Sequence, residues 1–235
     1  MRSFIFLAFA LLPAAALRAA PGVEISLSGL SMPVFSPAGE LTHRIVARDG
    51  PKTGAVQVLR GVEVQSFAPR DPTRVLHTLT TDEAQWDEKK GTLVGRGRVN
   101  LVTPESRVAG EGFDFTLATS LLHVHRDFSL RNDELLLTSD RATVEAGMQK
   151  AGNGVKFRDI RRCEAVGNLE ITVQPSAVGT YLFEKASSER AIYDGEQRTI
   201  DLPEPTRTFG PRGTATAKTM RVRLEPRKKE AVSGR

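Results

Sequence analysis

A pair of histidines is the first group of side chains in this sequence that could bind a metal. His123 and His125 stand two residues apart in an alternating apolar segment, so both would lie on the same face of a strand. Structural zinc sites normally use four protein ligands, and no third ligand stands near the two histidines in the sequence. We therefore expect both histidines to point to solvent, without a metal.

Carboxylates are the second group that could do chemistry, as the acid and base of a hydrolase. Asp82 and Asp87 stand with other acidic residues beside Trp86 and a lysine-glycine turn, a composition typical of a solvated loop. The sequence contains no nucleophile-elbow, zinc-protease or phosphate-binding motif. Cys163, the single cysteine, has no flanking motif and is interpreted as a small apolar residue of a strand. The sequence thus predicts no catalytic residue, no metal and no cofactor.

The composition favours a folded chain rich in β-structure. Of 235 residues, 40% are hydrophobic and 26% are charged, and 20 glycines and 13 prolines provide turn residues. Frequent valine and threonine favour strands. One cysteine excludes an intrachain disulfide, and no apolar run reaches the roughly 18 residues of a membrane-spanning helix. The net charge of +5 is spread along the chain, so nucleic acid is not the expected partner.

The first residues have the pattern of a secretory signal peptide. Residues 1–20 begin with a positive charge, continue with a short apolar core that a proline interrupts, and end in small residues. Cleavage is expected after Ala16 or Ala19. The alternative is an uncleaved inner-membrane anchor formed by residues 4–17, although this stretch is short for a bilayer span. Either way, we expect the rest of the chain to lie in the periplasm.

From residue 23 onward, short segments that alternate apolar and polar residues are separated by turn residues. Residues 61–67, 98–102, 122–130 and 169–173 have this pattern. A period of two sends alternate side chains to opposite faces, so each segment is predicted to be a strand with one buried and one exposed face. No long amphipathic helix is evident, and the predicted fold class is all-β.

Parts of the pattern occur twice along the chain. The segment AQWD at residues 84–87 is similar to AIYD at 191–194, and GRVNL at 97–101 is similar to GNLEI at 167–171. This similarity predicts one hairpin-like unit that is used more than once. The alternative is chance similarity among β-sequences of similar composition. Residues 147–154 are the expected joint between the two halves.

Ala84 and Trp86 before a turn are followed by Gly97, Val99 and Leu101, then by Ala109, Gly112 and Phe113, and finally by Leu122, Val124 and Phe128. In this order and spacing, residues 79–130 resemble the LptC family, periplasmic subunits of the lipopolysaccharide export machine. Residues 35–41 and 60–64 are similar to the N-terminal strands of the same family, and residues 163–224 resemble the related OstA/LptA module.

The resemblance implies an open β-jellyroll in which two tandem modules form one continuous twisted sheet pair. Residues 23–146 would form the LptC-like module and residues 155–225 the OstA/LptA-like module. Residues 226–235 lack periodicity and are expected to be a basic disordered tail. The cleavable leader and the extra module depart from a minimal LptC, which leaves open an anchored role and a role in the soluble bridge.

In this family the jellyroll interior holds lipid acyl chains, which implies a non-enzymatic lipopolysaccharide transport protein. Sheltering a chain from water is worth about 0.8 kcal/mol per CH₂, so the interior needs a continuous apolar strip. A closed structural core would need the same alternation, so both interpretations stay open. The residues expected to line a groove for lipid A are Val62, Val64, Val99, Leu101, Phe113, Phe115, Leu122, Val124, Leu169 and Ile171.

The partners follow from the same resemblance, because an open sheet has edge strands that can pair with another chain. Residues 23–30 are expected to face the inner-membrane ABC transporter that supplies lipopolysaccharide, and residues 215–224 an LptA-like bridge protein. Two alternatives remain open. One is an exported structural or adhesive β-protein with a closed core, and the other is a periplasmic hydrolase that uses Asp82, Asp87 and Glu111.

Overall fold

The computed structural model describes residues 28–50, 52–53, 56–151, 154–174, 177 and 181–224. The expected leader, most of the predicted N-terminal edge and the expected tail lie outside these residues. The described chain is all-β, with one 3₁₀ turn at Leu117–Thr119. The strands are β1 (Ser28–Phe35), β2 (Leu41–Asp49), β3 (Lys52–Thr53), β4 (Val56–Ala68), β5 (Asp71–Asp87), β6 (Thr92–Val102), β7 (Arg107–Thr116), β8 (Leu121–Arg131), β9 (Leu135–Ser139), β10 (Arg141–Ala151), β11 (Gly154–Val173), β12 (Lys185–Asp194), β13 (Thr199–Leu202), β14 (Thr206–Gly210), β15 (Gly213–Ala217) and β16 (Met220–Arg223).

The strands form one antiparallel meander. The hydrogen-bonded order is β1-β2-β4-β5-β6-β7-β8-β10-β11-β12-β13-β16, and the four remaining strands pair at the sides of this path. The sheet passes through the predicted joint at residues 147–154 by the pairing of β10 with β11. The prediction of an all-β, jellyroll-like fold built on one continuous sheet is confirmed. No helix in the described part of the chain is long and apolar enough to cross a bilayer.

A line of irregular backbone crosses the sheet from β4 to β16, and we call it the crease. The register shifts there between β5 and β6, β6 and β7, β7 and β8, and β11 and β12. It also separates β9 from β10, β13 from β14 and β15 from β16. Bulges of this kind bend a strand and re-aim its side chains. Five crease residues have a positive φ, namely Gly61, Gly112, Asp127, Gly167 and Asn168.

The crease divides the long strands β4 to β8, β11 and β12 into two halves that end at opposite rims of the sheet. We call rim A the loops at residues 36–40, 69–70, 103–106 and 132–134, together with residues 174, 177 and 181–184. Rim B consists of the loops at residues 88–91, 117–120 and 195–198. The buried side chains of both halves belong to a single hydrophobic core that extends from Ile45 to Leu224.

Contacts between the rims show that the sheet is folded over along the crease. Glu134 lies at one end of β11, where its carbonyl oxygen accepts a hydrogen bond from the Gln174 N–H at 2.7 Å. Arg198 lies towards the other end, just after Gly195, whose N–H bonds the Arg161 carbonyl at 2.9 Å. The side chains of Glu134 and Arg198 nevertheless meet at 2.7 Å. Folding therefore brings rim A against rim B and encloses the core.

The two copies of the sequence repeat occupy equivalent places, each at the end of a strand that reaches rim B. Ala84 and Ala191 are both buried, at 1% and 0% exposure. Asp87 Oδ1 accepts hydrogen bonds from the backbone N–H groups two and three residues later, at 3.1 and 3.2 Å. Asp194 Oδ1 does the same at 2.8 and 2.9 Å. The repeat is therefore a repeated hairpin, in which an aspartate caps the turn.

Candidate functional site

The ten residues predicted to line a groove all lie together in the interior of the folded sheet. Each has 2% exposure or less and belongs to the single core cluster. The two half-sheets therefore pack directly against each other at these positions, and a lipid chain could lie there only if the halves separate. Those in the half that ends at rim A are Val62, Val64, Val99, Leu101, Leu169 and Ile171, and those in the half that ends at rim B are Phe113, Phe115, Leu122 and Val124.

Glycines make room for two of these side chains. A Cβ atom added at Gly95 would collide with Phe113 Cε1, and one added at Gly110 would collide with Val124 Cγ1. The aromatic and branched side chains of one strand therefore occupy space that the neighbouring strand leaves free.

Near rim A the interior changes from apolar to polar. His43, Ser66 and His77 face inward on β2, β4 and β5, at 7%, 3% and 4% exposure. The register places His43 opposite Ser66 and Ser66 opposite His77, so the three form one row across the sheet. We call this the polar row. His77 also contacts the half-sheet that faces it, because its ring lies edge-on to Phe115 with the ring centroids 6.4 Å apart.

The polar row is only partly satisfied by hydrogen bonds. Ser66 Oγ lies 2.7 Å from His77 Nε2. Both ring nitrogens of His43 are buried, and neither has a hydrogen-bond partner among the described residues. Burial lowers the pKa of His43 to about 4. The pKa of His77 is also lowered to about 4, mainly by burial and to a smaller extent by repulsion from His43. Both imidazoles are therefore neutral at neutral pH.

The sequence analysis missed the polar row, although the alternation contains it. His43 stands two residues before the buried Ile45, and Ser66 two residues after the buried Val64. Alternation then directs each polar side chain into the core along with its apolar neighbour. From the sequence alone, polar residues at the end of an apolar face are expected to be solvated. Their burial is evident only from the folded sheet.

A partly buried ion pair joins the rims in the second half of the chain. The Glu134 side chain is 11% exposed and that of Arg198 31%. Arg198 Nη2 donates to Glu134 Oε1 at 2.7 Å, and the Tyr181 hydroxyl donates to Glu134 Oε2 at 2.6 Å. Hydrogen bonds to both carboxylate oxygens compensate for the loss of water around the charge. We call Glu134, Arg198 and Tyr181 the rim clasp.

Replacing Glu134 with alanine is expected to lower the free energy of unfolding by about 2 kcal/mol, because the change leaves Arg198 half-buried without this carboxylate. Chemical denaturation measures the loss. Glu170→Ala is the matched control, since its pair with Lys185 at 3.0 Å is about half exposed and is expected to contribute at most about 1 kcal/mol. Equal losses in the two variants would show that the rim clasp has no special role.

Both ends of the sheet show the apolar interior partly uncovered. β1 pairs with β2 alone and β16 with β13 alone among the described strands. Leu30, Met32 and Val34 on β1 and Met220 on β16 are only partly buried, yet they pack against the core. The apolar interior therefore continues to both terminal strands, whose outer backbone edges have no described neighbour.

The surface histidines lie where the sequence predicts them, on the outer face. Both are exposed. His125 Nε2 lies 2.7 Å from Asp114 Oδ2, and His123 Nδ1 lies 2.9 Å from Thr143 Oγ1. Within the described residues, no group of three or more His, Cys, Asp or Glu side chains could hold a metal ion.

Two carboxylates of the hydrolase alternative, Glu111 and Asp87, have bonding partners in the fold. Glu111 pairs with Arg126 at 3.2 Å. Asp87 caps the turn after β5, and hydrogen bonds from the backbone and side chain of Lys90 lower its pKa. Cys163 is fully buried in β11, as predicted for a small apolar residue, and its burial raises the pKa of the thiol to about 12. Burial of Cys163 therefore disfavours the nucleophilic thiolate form of this side chain.

The chain matches no protein-family model, and it matches no curated protein. The resemblance to the LptC family therefore rests on the residues quoted above and remains a prediction. The functional interpretation depends on the folded sheet, its apolar interior and its two rims.

Proposed function

We propose that this chain is a non-enzymatic lipid carrier of the periplasm, a β-module of the LptC/LptA kind. It would shelter the acyl chains of lipopolysaccharide between the halves of its folded sheet. The observation that supports this proposal best is the nature of the seam. Among the described residues, no backbone hydrogen bond joins rim A to rim B. The halves are held together by apolar contact and by side-chain contacts such as the rim clasp.

A seam of this kind can open without breaking the sheet. Separating the halves exposes apolar side chains, which is unfavourable in water. An entering acyl chain offsets this cost, because burying one long chain is worth on the order of 10 kcal/mol. The protein would therefore be closed when empty and open around lipid. ATP hydrolysis by the partner transporter would supply the energy for loading.

The terminal strands are the proposed contact sites for partner proteins. An unpaired strand edge can accept a strand from another protein. The partly uncovered apolar residues of β1 and β16 would then meet the interior of the neighbouring module. We propose that β1 faces the inner-membrane lipopolysaccharide transporter and that β15 and β16 face an LptA-like bridge protein, so that the lipid moves through aligned interiors.

Photo-crosslinking in cells tests the carrier function. A photoreactive residue at Val99, Leu101 or Phe113 is expected to form adducts with lipopolysaccharide, because all three side chains face the interior. Asn100 is the matched control, since it lies between two of them on β6 but on the less buried face. Absence of adducts at all three interior positions, or equal yields at Asn100, would contradict the proposal.

A second candidate is favoured by the closed packing of the interior. The near-zero exposure of the ten predicted lining residues also suits an exported structural or adhesive β-protein with a solid core. Such a protein would purify free of lipid and would have no affinity for lipid A. Measuring lipid A binding to the purified chain therefore separates the two candidates.

A further inference from the structure

We propose that the polar row of His43, Ser66 and His77 is a binding site for a neutral hydroxyl group carried by an acyl chain. This inference rests on the proposed function and deepens it. The carrier would then select chains that bear a hydroxyl near the head over plain hydrocarbon chains of the same length.

Among the described residues, the ring nitrogens of His43 lack hydrogen-bond partners. Its side chain is more than nine-tenths buried, and neither ring nitrogen has a partner in the described part of the chain. An unsatisfied buried polar atom is unfavourable, and such an atom in a folded protein calls for a missing partner. A polar group that enters the interior beside His43 would supply that partner.

The second argument is chemical. A neutral imidazole offers one N–H donor and one nitrogen acceptor, and a hydroxyl group can both donate and accept. Burial keeps both histidines neutral at neutral pH, so the row offers no positive charge to a phosphate or a carboxylate. Ser66, hydrogen-bonded to His77 at 2.7 Å, adds another hydroxyl to the row. The row therefore fits a neutral polar group better than an anion.

The third argument is position. The row lies close to rim A, and beyond it towards the crease the same strands bear Ile45, Val64 and Leu79, all with 0% exposure. A chain that enters between the rims with its tail towards the crease would place a group near its head beside the row. Its hydrocarbon part would lie against the apolar residues.

Titration of the full chain with two fatty acids tests the inference. Tetradecanoic acid and 3-hydroxytetradecanoic acid have equal length and the same ionised carboxylate, and they differ by one hydroxyl. Trp86, the single tryptophan, is 7% exposed and faces the interior near rim B, so its fluorescence reports binding. At about pH 8, where the histidines are neutral, we expect the hydroxylated chain to bind about tenfold more tightly.

Substitutions at His43 test whether the preference for the hydroxylated acid comes from the polar row. His43→Phe keeps a planar aromatic ring but removes both polar atoms, and it is expected to bind the two acids equally. His43→Gln restores a donor and an acceptor and is expected to recover part of the preference. The exposed His123 provides the matched control, His123→Phe, which is expected to behave as the unmodified protein.

The outcomes separate the inference from the function on which it rests. If the unmodified protein binds both acids with equal affinity, the polar row is not a hydroxyl site, while lipid binding stands. A preference that survives in His43→Phe would also overturn the inference. If neither acid binds, the proposed carrier function fails and the inference fails with it.

Discussion

Replacing Phe113 with alanine is expected to lower the free energy of unfolding by about 3–5 kcal/mol, the usual range for a fully buried phenylalanine. Phe113 has 0% exposure. Its ring fills the space beside Gly95 on the neighbouring strand, where an added Cβ would collide with it. Because the glycine has no side chain that could move into the vacated space, the cavity is expected to persist, and the loss should lie near the upper end of the range.

Denaturant titration of Phe113→Ala against Phe209→Ala isolates this effect. Phe209 lies on β14 and is 38% exposed, so its truncation is expected to cost about 1 kcal/mol or less. A loss below about 1 kcal/mol for Phe113→Ala would mean that the half-sheets are loosely packed at their centre. That result would contradict the closed interior described above.

Lowering the pH from 6.5 to 4 is expected to destabilise the fold by about 3 kcal/mol for each of two buried histidines. Burial lowers the pKa of His43 and of His77 from 6.5 to about 4. The unfolded chain therefore binds protons below pH 6.5 that the folded chain does not accept. The stability of the fold with neutral His43 and His77 is therefore fully present above pH 6.5, and it is lost as the pH falls to about 4.

Urea denaturation at several pH values measures this loss, and a His43→Phe, His77→Phe double variant provides the comparison. The variant is expected to have a much flatter stability profile between pH 6.5 and 4. Hydrogen bonds lower the pKa of Asp71, Asp87 and Glu170, so these groups add their destabilisation mainly below this window. An unmodified protein equally stable at both pH values would show that the histidines are not buried as described.

Much of the fold could be predicted from alternation and turn residues. The segments at 61–67, 98–102 and 169–173 lie in β4, β6 and β11, and their predicted inward residues are buried. Alternation specifies which face of a strand is apolar, and this local property is sufficient to predict an all-β chain. The repeated hairpin was also recognisable, because an aspartate before a turn has a local hydrogen-bonding role.

The crease and the closure of the sheet could not be predicted in this way. Asp127 and Asn168 adopt a positive φ, a conformation that depends on how neighbouring strands bend and not on the local pattern alone. The rim clasp joins Glu134 to Arg198 across a separation of 64 residues, for which alternation has no signal. The alternation of apolar and polar residues likewise could not decide whether the interior is open or closed, since an open groove and a closed core need the same apolar strip.

Quenching of Trp86 fluorescence by a fatty acid brominated close to its carboxyl group tests the central claim most directly. The claim is that the half-sheets separate to take an acyl chain between them. Bromine quenches tryptophan on contact, and Trp86 lies inside the folded sheet at 7% exposure. We predict saturable quenching by the brominated acid that exceeds any fluorescence change caused by the same acid without bromine. The same fluorescence with both acids, up to their solubility limits, would mean that the interior stays closed and that the chain is not a carrier.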